Sequence, residues 1–428
     1  MPKDSIRYVT KVDLSKPGDH QPQVHNRWHP DIPFTETIKP GETVKVECLD
    51  WTGNQIVNTD DADDVKYVDL TRIHYLSGPF NIEGAKPGDC LVVEIKDVQP
   101  LERQPWGYTG IFHKANGGGF LDSFYPEAAK AIFDLEGIHA TSRHIPGVKF
   151  TGLIHPGIMG TAPSAEVLQE WNSRESTLKA SIQHNHDTSV ANLPEPVNAH
   201  AGFERNPEII EKIAKEGART IPGRPEHGGN CDIKNLSRGS KCYFPVYVEG
   251  AKFSIGDLHF SQGDGEISFC GAIEMAGVIT LQFSIIPGGM EKLALKSPFF
   301  IPGDVQNNYG SSRYLTFEGF SVTETGEQQY LDATTAYRQA CIRAIEYLRR
   351  YGYNDYQIYL LLSAAPVEGH IAGIVDVPNA CTTLGIPMDI FEFDISPEAA
   401  VAQEARGNCA FASDSEHPVI YNFPEFKK

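Results

Sequence analysis

Gly256-Asp-Leu-His-Phe-Ser-Gln-Gly-Asp-Gly-Glu-Ile-Ser-Phe-Cys-Gly-Ala-Ile-Glu274 carries Asp257, His259, Asp264, Glu266 and Glu274 between bends marked by glycine. In extended backbone, side chains two apart point the same way. Asp257 and His259 then share a face, and so do Glu266, Ser268, Cys270 and Glu274, opposite Ile267, Phe269 and Ile273. The intervening Gln262-Gly-Asp-Gly265 reads as a tight turn whose glycines admit close approach of a ligand or a second backbone. The stretch is a strand, a glycine turn and a second strand with one acidic face, and it predicts a mainly β protein.

The nearest dense polar segment is His227-Gly-Gly-Asn-Cys-Asp232. Its glycine N–H groups and Asn230 suit an oxyanion, although a plain glycine turn has the same composition. Asp257-x-His259 suits two ligands of one divalent ion, completed by Asp232 or a glutamate; a hydrogen-bonded structural pair is the alternative. In either case a carboxylate beside an imidazole supplies a general base. The two segments are expected to meet in one water-activating site, with Glu266, Glu274, Asp264 and His227 as catalytic candidates. In Asp50-Trp-Thr-Gly-Asn-Gln-Ile56, the residues Asp50, Asn54 and Gln55 are candidates to orient a substrate with Asn230, or else turn caps. Nucleophile schemes have weaker support. There is no Gly-x-Ser-x-Gly elbow, Tyr309-Gly-Ser-Ser-Arg313 lacks a Gly/Ser-rich surround, and the Cys231 thiolate is disfavoured by Asp232.

Further out, the chain echoes itself. Lys39-Pro-Gly-Glu-Thr-Val-Lys-Val-Glu-Cys-Leu-Asp50 matches Lys86-Pro-Gly-Asp-Cys-Leu-Val-Val-Glu-Ile-Lys-Asp97, each a Pro-Gly turn feeding a strand. Ile82-Glu-Gly-Ala-Lys86 matches Val248-Glu-Gly-Ala-Lys252, each followed shortly by Gly-Asp. Repeated turn-strand units predict a sandwich or barrel-like core, duplicated unless the turn chemistry coincides by chance. Periodicity and capping residues predict helices at 126–135, 165–173, 207–217, 333–351, 354–363 and from Ser396 onward. Strands are expected at 148–154 and 241–255, with a buried one at 367–377. Residues 103–124 read as a loop able to cover a site, and 155–164 as too rich in Gly and Pro for regular structure. Residues 181–203, with His184, His186 and His200, read as an irregular excursion, and His25 and His29 as surface histidines. Four regions result: an N-terminal β lobe (1–110), a loop- and helix-rich connection (111–219), a central β segment carrying the active site (220–300) and an α+β C-terminal region (301–428).

Composition narrows the class. At 428 residues and 40% hydrophobic, the chain can bury a large core. A net charge of −19 without a basic stripe argues against nucleic acid and anionic membrane as partners. The run Asp60-Asp61-Ala62-Asp63-Asp64 reads as a solvated loop, or more sharply as a cation site. No window reaches the roughly 18–20 apolar residues of a membrane span, and the N-terminus lacks a secretory h-region. A cytoplasmic location with eight free, mostly buried thiols is expected.

These segments resemble the acetamidase/formamidase family. The resemblance is carried by His227-Gly-Gly-Asn-Cys-Asp232, by Tyr243-Phe-Pro-Val-Tyr-Val-Glu-Gly-Ala-Lys-Phe-Ser-Ile-Gly-Asp-Leu-His259, by Gln262-Gly-Asp-Gly-Glu266 and by Ala272-Ile-Glu274. It extends to Gly53-Asn-Gln-Ile56 and Gly78-Pro-Phe-Asn-Ile-Glu-Gly-Ala-Lys-Pro-Gly-Asp89, and the length resembles the longer formamidase branch. It implies a homo-oligomer, a trimer or a multiple of one, that hydrolyses a small aliphatic amide, formamide first. Acetamide or lactam hydrolysis and non-catalytic amide binding are the alternatives. It also implies one divalent metal, Zn or Ca, at Asp232, Asp257 and His259. The loop 155–163 departs from the pattern of shorter relatives, which bears on acyl selectivity.

Overall fold

The computed structural model describes residues 6–181, 198–304, 313–416 and 420–424. The excursion at 182–197 and the 309–312 part of the serine motif lie outside the described residues.

The chain is mainly β. In order, its principal strands are β1 (Thr43–Cys48), β2 (Leu76–Ile82), β3 (Cys90–Pro100), β4 (Trp106–Ile111), β5 (Ala129–Glu136), β6 (His155–Gly160), β7 (Gly228–Asn230), β8 (Lys241–Pro245), β9 (Phe253–Gln262), β10 (Phe269–Met275) and β11 (Gly277–Ile286). Arg7–Thr10, β1, β11, β3, β8 and Phe299–Ile301 form a six-stranded sheet in that order. A larger sheet runs through β5, β4, β10, β9, β6 and β7, with β2 also paired to β9. The two sheets exchange chain at Ala276, the one residue between β10 and β11. Their inner faces share one apolar cluster, in which Val44, Val93 and Phe283 pack with Phe80, Phe253 and Ile255. Each such side chain contributes about 1.5–3 kcal/mol on burial.

The echoed segments occupy equivalent places. β1 and β3 flank β11, with Gly277 opposite Cys48 on one side and Pro100 on the other. The two Glu-Gly-Ala-Lys turns interlock: Ile82 N–H donates to Gly250 O at 2.9 Å, and Gly250 N–H donates to Ala85 O at 2.9 Å.

Helix α1 (Ala165–Ser181) runs a turn and more past its expected end, and α2 (Pro207–Glu216) is N-capped by Asn206. In the C-terminal part, α3 (Ala333–Leu348) packs on a sheet of β12 (Tyr314–Phe320), β13 (Glu368–Asp376) and β14 (Asn379–Pro387). Helix α4 (Asp355–Ala364) opens with a full capping box between Asn354 and Gln357 and is buried along its whole length. No helix among the described residues is long and apolar enough to cross a membrane.

Several local expectations are corrected. Residues 126–135 are not helical; β5 pairs with β4 from Trp106–Asp134 to Ile111–Ala129, and this pairing overrides a weak helical pattern. Within 103–124, β4 is a strand. Residues 155–160 are also a strand despite Gly and Pro; Pro156 is tolerated because the ladder to β7 begins only at Ile158. No helix follows Ser396: Asp394 accepts from its N–H and its hydroxyl, which fixes a turn instead. β13 is an outer strand, with Ile371 and Val375 exposed rather than buried. His25 and His29 are buried, and His25 Nε2 lies 2.7 Å from Ser254 Oγ. The acidic run pairs with basic groups, Asp60 with Arg143 and Asp64 with the buried Lys130, so it staples a loop. The eight cysteines are free, six of them buried.

Candidate active site

β9 lies between β6 and β10, so His259 sits opposite His155 on one side and Glu274 on the other. Its Nε2 is 3.2 Å from Asp257 Oδ1 and 3.0 Å from Glu274 Oε2. Asp257 adopts φ +57° inside the strand, and Asp232, at φ +45°, follows the short strand β7. Ligand atoms of Asp232, Asp257 and His259 all lie within 4.8 Å of one another. Gly157 makes the approach feasible, since a Cβ there would come within 2.7 Å of Asp257, His259 and Asp232 at once.

His259 Nδ1 lies 3.1 Å from Gln262 Oε1, an acceptor, and 3.2 Å from His155 Nε2, so Nδ1 is assigned as an N–H donor. His155 is held by Nδ1 at 2.6 Å from Leu153 O and by Nε2 at 3.0 Å from Gln262 Oε1. Gln262 in turn donates to Asp232 O at 2.5 Å. His259 Nε2 is thereby aimed between two carboxylate oxygens. His259 Nε2, Asp257 Oδ1 and Glu274 Oε2 are buried without a hydrogen-bond partner. A lone pair there would be unfavourable unless a proton or a metal cation lay among these atoms. A donor set of two carboxylates and one imidazole fits a divalent metal ion.

Beside this cluster is a cavity of about 50 Å³ lined by Trp51, Ile73, His74, Ile221, Asn230, Asp257, Glu266, Phe269 and Glu274. Glu266 and Phe269 also wall an outer cavity of about 350 Å³ bordered by Gly117, Gly119 and Phe120. The Glu266 turn is held from the C-terminal part. Gly263 N–H donates to Ser363 O at 2.7 Å, Tyr337 OH to Asp264 O at 2.6 Å, and Ser268 N–H to Ser363 Oγ at 2.8 Å.

Burial sets the protonation. It pushes Asp232 up to about 7, with Asp257 adding to the effect. It pushes Glu274 up to about 8 against the pull of His259. Burial, then Asp232, raise Glu266 well above the carboxylate range. Burial disfavours charge on His259, but Glu274 and Asp257 outweigh it and raise the imidazole well above its usual value. Burial likewise opposes ionisation of Asp257, and His259 overcomes it and lowers the carboxyl. Such opposed, environment-set values mark a proton-handling site.

A model of the acetamidase/formamidase family matches residues 11–393. The chain belongs to this family. A Schizosaccharomyces pombe protein provisionally named a formamidase is 67% identical over 95% of this chain and 99% of its own length. A formamidase of Methylophilus methylotrophus is 52% identical over 92% of this chain and 96% of its own. Among solved structures, a gamma lactamase from Delftia acidovorans superposes with TM-score 0.91 at 52% identity, covering 96% of this chain and 100% of that one.

In this acetamidase/formamidase family chain, the expected residues fall into two groups. Asp232, Asp257, His259, Glu266, Glu274 and Asn230 converge. Asn230 donates one Nδ2–H to Ile221 O at 2.9 Å, and its Oδ1 is left as a free acceptor. The others stand outside the inner cavity. Asp264 pairs with Lys234 at 3.1 Å and accepts from Gly369 N–H. His227 is packed between Trp28 and Trp171, with Nδ1 at 2.8 Å from Thr161 O. Asp50 accepts from Thr52, Asn54 and Tyr108, while Asn54 donates to Lys16 O and Gln55 to Asp69 O, main-chain carbonyls of neighbouring segments. Together they seat Trp51 in the cavity wall. The expected alternation also fails at one point. Phe269, at φ +78°, lines the same cavity as Glu266 and Glu274. Sequence reasoning gave no role to His155, Gln262, Trp51 or His74. Gln262 stood in the quoted turn, whereas His74, a single histidine between Ile73 and Tyr75, carries no local signature.

Proposed function

We propose that this chain hydrolyses formamide to formate and ammonia in the cavity beside Asp257 and Glu274. The cavity size carries the reading. At about 10–15 Å³ per water-sized group, 50 Å³ holds about three to five such groups, enough for formamide and one attacking water. Asp232, Asp257 and His259 would hold a divalent ion, with zinc better suited than calcium, which favours oxygen ligands. When bound, such an ion lowers the pKa of water and polarises a carbonyl.

The protein groups do the rest. Asn230 Oδ1 accepts from the amide N–H. Glu266 and Glu274 border the cavity and bind protons readily when buried. One of them takes a proton from water as the water oxygen bonds to the carbonyl carbon. The same proton moves to nitrogen as the C–N bond breaks, because the amide anion is too basic to leave unprotonated. A cyclic amide is a second reading, favoured by the lactamase likeness and by the wider outer cavity.

Purified, metal-replete protein supplied with formamide, acetamide and a small γ-lactam is expected to release ammonia fastest from formamide. No turnover of any of the three would overturn the amidase reading. Dialysis against a chelator is expected to remove one equivalent of metal and the activity together.

A further inference from the structure

A primary amide brings one carbonyl acceptor and N–H donors into the cavity. The walls supply acceptors in excess: Asn230 Oδ1 and the carboxylates of Asp257, Glu266 and Glu274. Donors are fewer. One of the two Asn230 amide N–H groups is bonded to Ile221 O, and the Trp51 indole N–H is buried. His74 is the imidazole among the lining residues. It lines the cavity and is 7% exposed. Among the described residues neither of its ring nitrogens has a hydrogen-bond partner, and Nδ1 is fully buried. A buried, unpaired imidazole is costly unless a ligand completes it.

The ring is also held in place. Trp51 packs against it with ring centroids 5.0 Å apart, and Thr220 Oγ1 donates to the His74 carbonyl. Burial keeps the imidazole neutral, with its pKa lowered to about 4, so one nitrogen carries a proton at working pH.

We propose that His74 is a further catalytic residue, donating a hydrogen bond to the substrate carbonyl as it becomes an oxyanion. This rests on the amidase reading. It divides the cavity into a donor end at His74 and an acceptor end at Asn230, which fixes the direction in which the amide lies. It also supplies the role first expected of Asn230.

The test compares His74→Phe, which keeps a ring against Trp51, with His74→Asn, which restores a donor. For formamide, His74→Phe is expected to lose about 10²–10³ in kcat/KM, mostly in kcat, as for removal of an oxyanion donor. His74→Asn is expected to recover at least about tenfold of that loss. Both should match the wild type in metal content and melt within a few degrees of it. If His74→Phe does not fold, His74→Leu replaces it. Wild-type kcat/KM in the donor-free variant, or equal losses with Asn and Phe, overturns the role of His74. A wild type inactive on every small amide overturns the amidase reading instead.

Discussion

A methyl group at position 157 would enter the space between Asp257, His259 and Asp232, although Gly157 itself does not need a left-handed backbone. Gly157→Ala is therefore expected to fold normally and lose the ion. Elemental analysis should find less than about a tenth of the wild-type metal, and activity should fall by about a hundredfold or more, in the range of lost ligand or outer-shell support. Wild-type metal content would count against the ion site. Ile73 and Ile221 belong to the same scale, since they occupy wall area where a larger acyl group would go. Ile221→Ala is expected to raise the acetamide-to-formamide ratio of kcat/KM by about tenfold, the usual worth of a methylene's room. At this scale the sequence was informative where chemistry is dense. Asp232, Asp257, His259, Glu266 and Glu274 stand out by crowding. Asp50, Asn54 and Gln55 are equally polar, but they bind one another's loop and the neighbouring segments at Tyr108, Lys16 and Asp69. Only folding separates a loop staple from a substrate contact.

At the scale of elements, the Glu266 turn is a constrained device. Glu266 and Phe269 adopt φ +46° and +78°, a conformation costing non-glycine residues about 1 kcal/mol or more each. The turn stays in this shape because Ser363, Tyr337 and Tyr359 hold its backbone at 263–268. Ser363→Ala removes the acceptor of the buried Ser268 N–H. It is expected to lower stability by about 1–3 kcal/mol and to reduce kcat more than it changes KM. Urea unfolding and steady-state kinetics check both, and an unchanged kcat would separate the clamp from catalysis. The misread elements share a physical cause. β5 and β6 are strands because partners pair with them on both sides, at Phe133 with Gly107 and at His155 with His259. Neither segment has the local propensity to announce it. Helices α3 and α4 were legible because their apolar spacing and the Asn354 cap are local facts.

For the whole molecule, stability should depend on pH through histidines outside the cluster. Burial lowers His25 to about 4 and His227 to about 3, against 6.5 when unfolded. The unfolded chain then binds more protons than the folded one below pH 6.5. The stability these groups confer is complete above 6.5 and is lost as pH falls toward 4 and 3. Each contributes a slope of about 1.4 kcal/mol per pH unit in that window. Denaturant midpoints measured from pH 7 to 4.5 are expected to fall, and less steeply in His25→Gln. The raised carboxyls of Asp232 and Glu274 act in the opposite direction, so the difference between the two profiles reads His25, and an unchanged slope in His25→Gln would mean that His25 is not neutral in the fold. The mainly β class was readable from repeated turn-strand units. Exchange of chain between sheets at Ala276 was not, because it depends on distant strands finding one another.

The interlocked turns at 82–86 and 248–252 bear on descent. Both copies are followed by Gly-Asp. Asp89 accepts from Lys86 N–H and Gly288 N–H, and so maintains its own bend. Asp257, in the other copy, has left that duty and stands in the reactive cluster. If one ancestral unit was copied, the inherited acid specialised: one descendant kept the architecture while its sibling was released to do chemistry.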